Sequence, residues 1–464
     1  MNHPPHTWLA DLVYTGGNFS PNLTLGSDES GAITSVGQPD ENDNLVRLHN
    51  RAILPGLVNA HSHAFQRVIR GRTEHRTSSK DSFWTWREMM YSAATRLSPE
   101  DIYDASRMAF MEMALSGITS VGEFHYLHNQ ADGSAYEDPN LLAKQVVRAA
   151  RDVGLRIALL RVAYARSGHQ TEANPRQARF IERDPQLYLE RLDQLRADLS
   201  EMKGDAWVGV APHSVRAVPL EYLKVVIDSG NKAGLPIHMH VAEQPAEVSA
   251  CIEEHGRSPV ALLDTEGLLS DHFTGVHMIH ITAKAARMIA KAGAMVCACP
   301  TTERNLGDGI VPMDLLFAEN IGVPLGTDSQ TQIDLLEDAR ELEYHLRLQK
   351  LERAVLDEPD SNDHPRLARR LFECATTNGA RSLGTPRPEL EMGQPADFFT
   401  VDLDDPSIAG SNSNDLLATI VFSLNRTAVK DVVVGGRRIV EDGRHFAQEE
   451  ITRRFTSLQQ RLWR

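Results

Sequence analysis

Cysteine is scarce. Four thiols, Cys251, Cys297, Cys299 and Cys374, are scattered through 464 residues, which excludes a disulfide framework. Cys297-x-Cys299 is too tightly spaced for a paired zinc knuckle, and a reducing compartment is the expected setting. The opening MNHPPHTWLADLVYTGG lacks a basic stretch followed by an apolar run, so no signal peptide is expected. No apolar run reaches the length of a membrane span. Positive charge is also in deficit: 48 Lys and Arg against 63 Asp and Glu leave a net charge of −15. That balance disfavours nonspecific binding to nucleic acid or an anionic membrane, but leaves room for a local arginine cluster that takes an anionic substrate. With 41% hydrophobic and 24% charged residues, fibrous and disordered classes are excluded. The expectation is a soluble, cytoplasmic protein.

A strand-helix rhythm fills the middle of the chain. Eight apolar runs end at His63, Tyr126, Tyr164, Ser214, Glu243, Ile281, Pro300 and Ser329. Near-continuous apolar runs are what strands buried on both faces of a parallel sheet require. Helix punctuation lies between them: Ser98-Pro99-Glu100 opens one helix, Gly117 closes it, and Gly154, Gly204 and Gly234 stand where left-handed C-caps fall. Eight alternations predict a (β/α)8 barrel of the α/β class over residues 53–386. Short strand-like pieces with Gly, Asp and Asn between them flank it at 1–52 and 387–446. These predict a small composite β-sandwich domain built from both segments, followed by a surface helix over 447–464.

In such barrels chemistry sits at the C-terminal strand ends. His61, His63, His213, His240, His277 and Asp328 all fall there. The strand period of two puts His61 and His63 on one face, and His238 and His240 form a second such pair. Alone, either pair would read as core histidines. Three imidazoles with the Asp328 carboxylate, from separate strands, suit one Zn2+-like ion. No lysine lies within the fourth run to bridge two metals, because Lys203 precedes it. Glu243, three residues beyond His240, becomes a candidate proton shuttle if the chain leaves the strand there. His277 and His280 have odd spacing, so at most one faces the site. The long connection from Ala64 to Leu97 holds Phe83, Trp84 and Trp86, and reads as a lid, a subunit interface, or both.

The ordered set ProGlyLeuValAsnAlaHisSerHis, HisMetHisValAlaGlu, ValHisMetIleHis and LeuGlyThrAspSer resembles the amidohydrolase superfamily, in its deaminase-like branch. HisAlaPheGlnArg at 63–67, GlyGluPheHisTyr at 122–126, AlaProHisSerValArgAla at 211–217 and CysProThrThrGluArgAsnLeuGlyAspGly at 299–309 are most similar to the members that deiminate N-formimino-L-glutamate in histidine degradation. The resemblance implies one divalent ion per subunit, zinc expected, on His61, His63, His240 and Asp328. It implies catalytic roles for Glu243, His277 and Asp328. His213 would contact the formimino group, and Gln66, Tyr126 and Arg216 the glutamate part. Arg87 is a further carboxylate-binding candidate within the cluster Arg67, Arg70, Arg72, Arg76 and Arg87. It also implies a homodimer.

The substrate's chemistry agrees. Two carboxylates call for arginine forks, and a protonated amidine calls for an anionic wall such as Glu243. The expected reaction is attack of metal-activated water on the amidine carbon, releasing ammonia. Two alternatives remain: a deaminase of purine- or pyrimidine-like amidines, and a non-catalytic barrel kept for assembly.

Overall fold

The apolar runs become strands of one parallel sheet. In the computed structural model, which describes residues 5–39, 45–75, 83–172, 174–200, 202, 204–357 and 366–464, these are β1 (Leu57–Ser62), β2 (Ile118–His125), β3 (Arg156–Ala163), β4 (Ala206–Pro212), β5 (Ile237–Val241), β6 (Phe273–His277) and β7 (Met295–Cys297). They pair in consecutive order. Nearly every residue in them is buried, because helices cover the outer face and side chains fill the interior.

The eighth run closes the barrel without a regular ladder. Residues 322–328 bond both edges: Ala298 N donates to Pro324 O at 3.0 Å, Ala60 N to Leu325 O at 2.8 Å, and Asp328 N to His61 O at 3.0 Å. Pro324 has no N–H to donate, and Asp328 turns left-handed at φ 45°, so the segment makes bridges to Ala298 and Ser62 and stops. Gly326 permits the close approach: a Cβ there would lie 2.6 Å from His61 Cβ. Gly326→Ala is expected to cost roughly 1–3 kcal/mol of stability by overpacking, read as a lowered Tm and denaturant midpoint.

The first apolar run is divided between two sheets. Its opening residues finish the strand Leu45–Pro55, and β1 begins after Gly56, where a Cβ would meet Thr119 Oγ1 at 2.3 Å. Leu45–Pro55 is the shared strand of a nine-stranded mixed sheet, parallel to His6–Thr15 and antiparallel to Phe398–Asp402. The two terminal segments thus meet in one hydrogen-bonded sheet around a core that includes Trp8, Leu25, Ile53, Phe398 and Val433.

Helix signals hold with two corrections, of which the first is that the helix Pro99–Ala114 closes at Leu115, with Gly117 in the turn beyond at φ +88°. Ser98 caps the helix Pro99–Ala114 in a reciprocal box with Asp101, and Gly154 and Gly234 are left-handed C-caps. Gly204 is not a cap. The helix Pro185–Leu199 already closes at Ser200, and Gly204 serves the turn beyond, at φ +78°. The connection 64–97 contains a short 3-10 turn, Ala64–Ile69, and the helix α1 (Phe83–Ala94). The terminal helix Gln448–Leu462 buries Ile451, Phe455, Leu458 and Leu462. No described helix is long and apolar enough to cross a membrane.

Candidate active site

Period two along β1 and its exit points His61 and His63 at one centre, β5 adds His240, and the eighth segment adds Asp328. His61 Nε2 lies 3.2 Å from His240 Nε2 and 3.5 Å from Asp328 Oδ1. His63 Nε2 lies 3.2 Å from the same oxygen. One donor atom from each of the four residues lies within 4.8 Å of the others. His63 Nδ1 donates to Phe124 O at 3.0 Å and His240 Nδ1 to His213 O at 3.2 Å. A carbonyl can only accept, so each Nδ1 carries the hydrogen and each Nε2 lone pair faces the centre. Burial pushes His61 down to about 3 and lowers His63 and His240. Burial alone would raise Asp328, but its bond to His61 and the nearby His63 and His277 hold it well below the usual carboxylate range. Neutral imidazoles around an ionised carboxylate form the donor set that a divalent ion needs.

The second layer of the cleft is acidic. After β5 the chain leaves the strand through Ala242 at φ 52°, which swings Glu243 over the mouth. Glu243 Oε1 lies 3.7 Å from His277 Nε2, and Asp328 Oδ2 lies 3.7 Å from the same nitrogen. Burial pushes Glu243 up to about 7. Burial opposes charge on His277, yet Glu243, Glu303 and Asp328 together raise it well above its ordinary value. His277, Met278, Asp328 and Gln330 are also left-handed. Such conformations cost about 1–3 kcal/mol each and survive only where the surroundings over-determine them.

One cleft brings Gln66, Arg87, Tyr126, His213 and Arg216 together with His63, His240, Glu243, His277 and Asp328. Gln66 Nε2 donates to Tyr126 Oη at 2.9 Å. Arg87, on α1, stacks over Trp84 with 4.4 Å to the ring centroid, and its buried Nε and Nη1 have no hydrogen-bond partner among the described residues.

Other candidates lie elsewhere. His238 bonds Ser382 O through Nε2 at 2.9 Å, one strand period below His240, and does not join the four-residue cluster. His280 bonds Asp308 O at 3.0 Å. Arg67 and Arg70 are both held by Glu112 at 2.6 Å, and Arg72 bonds Gln459 and lies over Trp463. Arg76 and Lys203 lie outside the described residues.

Two buried acids escaped sequence reasoning. Glu303 Oε1 accepts from Cys299 N at 2.9 Å and sits 3.2 Å from His277 Nδ1. Glu123 bonds Ser62 Oγ at 2.6 Å and Ala64 N at 2.8 Å, and burial pushes it up to about 8. Both stand inside motifs that the resemblance singled out, but only three-dimensional placement shows what they hold.

Comparisons with known proteins agree with this geometry. The amidohydrolase family model matches residues 52–439. Formimidoylglutamate deiminase of Pseudomonas aeruginosa is 38% identical over 95% of this chain and 96% of its own. A 5-methylthioadenosine/S-adenosylhomocysteine deaminase of Natronomonas pharaonis is 27% identical over 94% of this chain and 93% of its own. Among solved structures, an amidohydrolase from Brucella melitensis has a TM-score of 0.90 at 34% identity, covering 99% of this chain and all of that one. A zinc-bound adenosine deaminase from Xanthomonas campestris, at 21% identity, has a TM-score of 0.82 over 98% of each chain, and shows the shared fold. With a matching model over most of its length and a relative this similar from end to end, the chain belongs to the amidohydrolase family and is a hydrolase.

Proposed function

We propose that the enzyme deiminates N-formimino-L-glutamate to N-formyl-L-glutamate and ammonia. The observation that carries this reading is the pairing of two arginines with an acidic centre. Arg87 offers buried, unpartnered N–H groups in the same cleft as Arg216, while Glu243 stands beside the four-residue metal cluster. Two cationic forks suit two carboxylates, and the carboxylate wall suits the amidinium. The relative from P. aeruginosa carries the same activity in its name.

His61, His63, His240 and Asp328 would hold the divalent ion, zinc in this proposal. When bound, that ion supplies a water acidified to a pKa of about 7. Asp328 takes the water's proton at Oδ2. The C–O bond forms; Glu243, anionic while it faces the amidinium, takes the proton of the new hydroxyl and returns it to the departing nitrogen, so that the C=O bond forms as the C–N bond breaks, and the ammonia leaves with the proton held on Asp328. His277 orients the reacting groups through Nε2. His213 contacts the formimino group, and Gln66, Tyr126, Arg87 and Arg216 hold the glutamate part. A cytoplasmic homodimer belongs to the same proposal.

A second reading has its own observation. Phe83, Trp86, Tyr91, Tyr126, Tyr164 and Phe180 line the cleft, and aromatic rings also suit a purine-like amidine. Ammonia release from N-formimino-L-glutamate against a panel of purines and pyrimidines separates the two. The proposal expects the linear amidine to have the higher kcat/KM; a purine preferred by orders of magnitude would overturn it. Arg87→Met and Arg216→Met should each lower kcat/KM for the linear amidine roughly 10–100-fold, as expected when a charge-assisted bond to a carboxylate is lost.

A further inference from the structure

The strand that carries His277 does not by itself decide where the ring points. His277 stands at the end of β6 with φ 72°, and Met278 follows at φ 48°, so the backbone turns away just where the side chain must be aimed. The aim comes from another element. Glu303 stands in the first turn of the helix Pro300–Leu306, after β7, and is 2% exposed. Its Oε1 accepts from Cys299 N at 2.9 Å and lies 3.2 Å from His277 Nδ1. An oxygen already accepting a backbone N–H also accepts from the imidazole Nδ1–H, which turns Nε2 toward Glu243 and Asp328, each at 3.7 Å.

We propose that Glu303 is a positioning residue: it fixes the ring direction of His277, so that Nε2 meets the reacting groups. The inference rests on the deiminase reading of the cleft and deepens it. A glutamine can keep both bonds through its own Oε1, whereas alanine keeps neither. Glu303→Ala is therefore expected to lower kcat roughly 100-fold, the upper range for losing a group that orients a histidine. KM should stay within a few-fold and zinc content should match the parent. Glu303→Gln should restore kcat to within about tenfold, since its amide oxygen can still hold the ring. If the alanine variant does not fold, Glu303→Met, closer in volume, takes its place.

A parental kcat in Glu303→Ala, a loss in Glu303→Gln as deep as in alanine, or a loss carried by KM or zinc content would each overturn the proposal. The His277 imidazole signals of enzyme labelled with 15N-histidine, assigned by their absence in His277→Asn, give a readout without turnover. They should coincide in the parent and in Glu303→Gln, where the Nδ1 bond is kept, and move in Glu303→Ala; unchanged signals in alanine sink the idea. Absence of turnover on N-formimino-L-glutamate in the parent enzyme counts against the deiminase reading and leaves the imidazole test standing.

Discussion

Asp328→Ala is expected to lower kcat/KM about 10^4-fold or more, with metal content falling in parallel, because one side chain serves two purposes. Its Oδ1 lies 3.5 Å from His61 Nε2 and 3.2 Å from His63 Nε2, inside the four-residue cluster, while Oδ2 lies 3.7 Å from His277 Nε2. Removing it takes away the proposed ligand and the proposed proton acceptor together. Elemental analysis of the purified variant, beside steady-state ammonia release, checks both. A variant that keeps stoichiometric metal and near-parental turnover would show that the proton goes elsewhere.

Glu243→Gln separates the two purposes. Glu243 is outside the four-residue cluster, so metal content should be retained while kcat falls about 10^3-fold, within the range for losing a general acid-base group. Burial pushes Glu243 up to about 7, so its carboxylate form is lost as pH falls through that value. A reaction that begins with the anion facing an amidinium therefore slows below about pH 7 and levels off above it. That acidic limb should be absent in Glu243→Gln. A limb that persists in the variant would assign the titration to another group.

Much of this architecture was readable from the chain because its causes are local. Parallel barrel strands are buried on both faces, so they leave apolar runs that composition alone exposes, and all eight runs have a place in the barrel. His61 and His63 were legible because period two is a property of any strand. The same rule says nothing of depth: His238 shares a face with His240 but lies one period deeper, beside the Ser382 carbonyl. Depth along a barrel axis leaves no mark on spacing. The arginines after β1 were ambiguous for a similar reason. Arg67 and Arg70 are claimed by Glu112, a partner more than forty residues away, and only Arg87 of the described members reaches the cleft. The helix α1 was not read from the stretch Phe83–Tyr91, whose aromatic residues carry only a middling helix preference. Glu303 was invisible as a functional group because its meaning is a bond to a histidine 26 positions earlier.

The strand Leu45–Pro55 has its antiparallel neighbour at Phe398–Asp402 and runs through Gly56 straight into the strand bearing His61. During synthesis that edge stays open until the whole barrel has been made, so Ile53 and Leu54, fully buried in the finished sheet, wait for their cover. Pairing across so wide a sequence gap is slow, which makes this junction the natural place for chaperone engagement and for stalled, misassembled product. Overexpression at low temperature, where elongation and collapse are better matched, should therefore favour recovery of assembled enzyme.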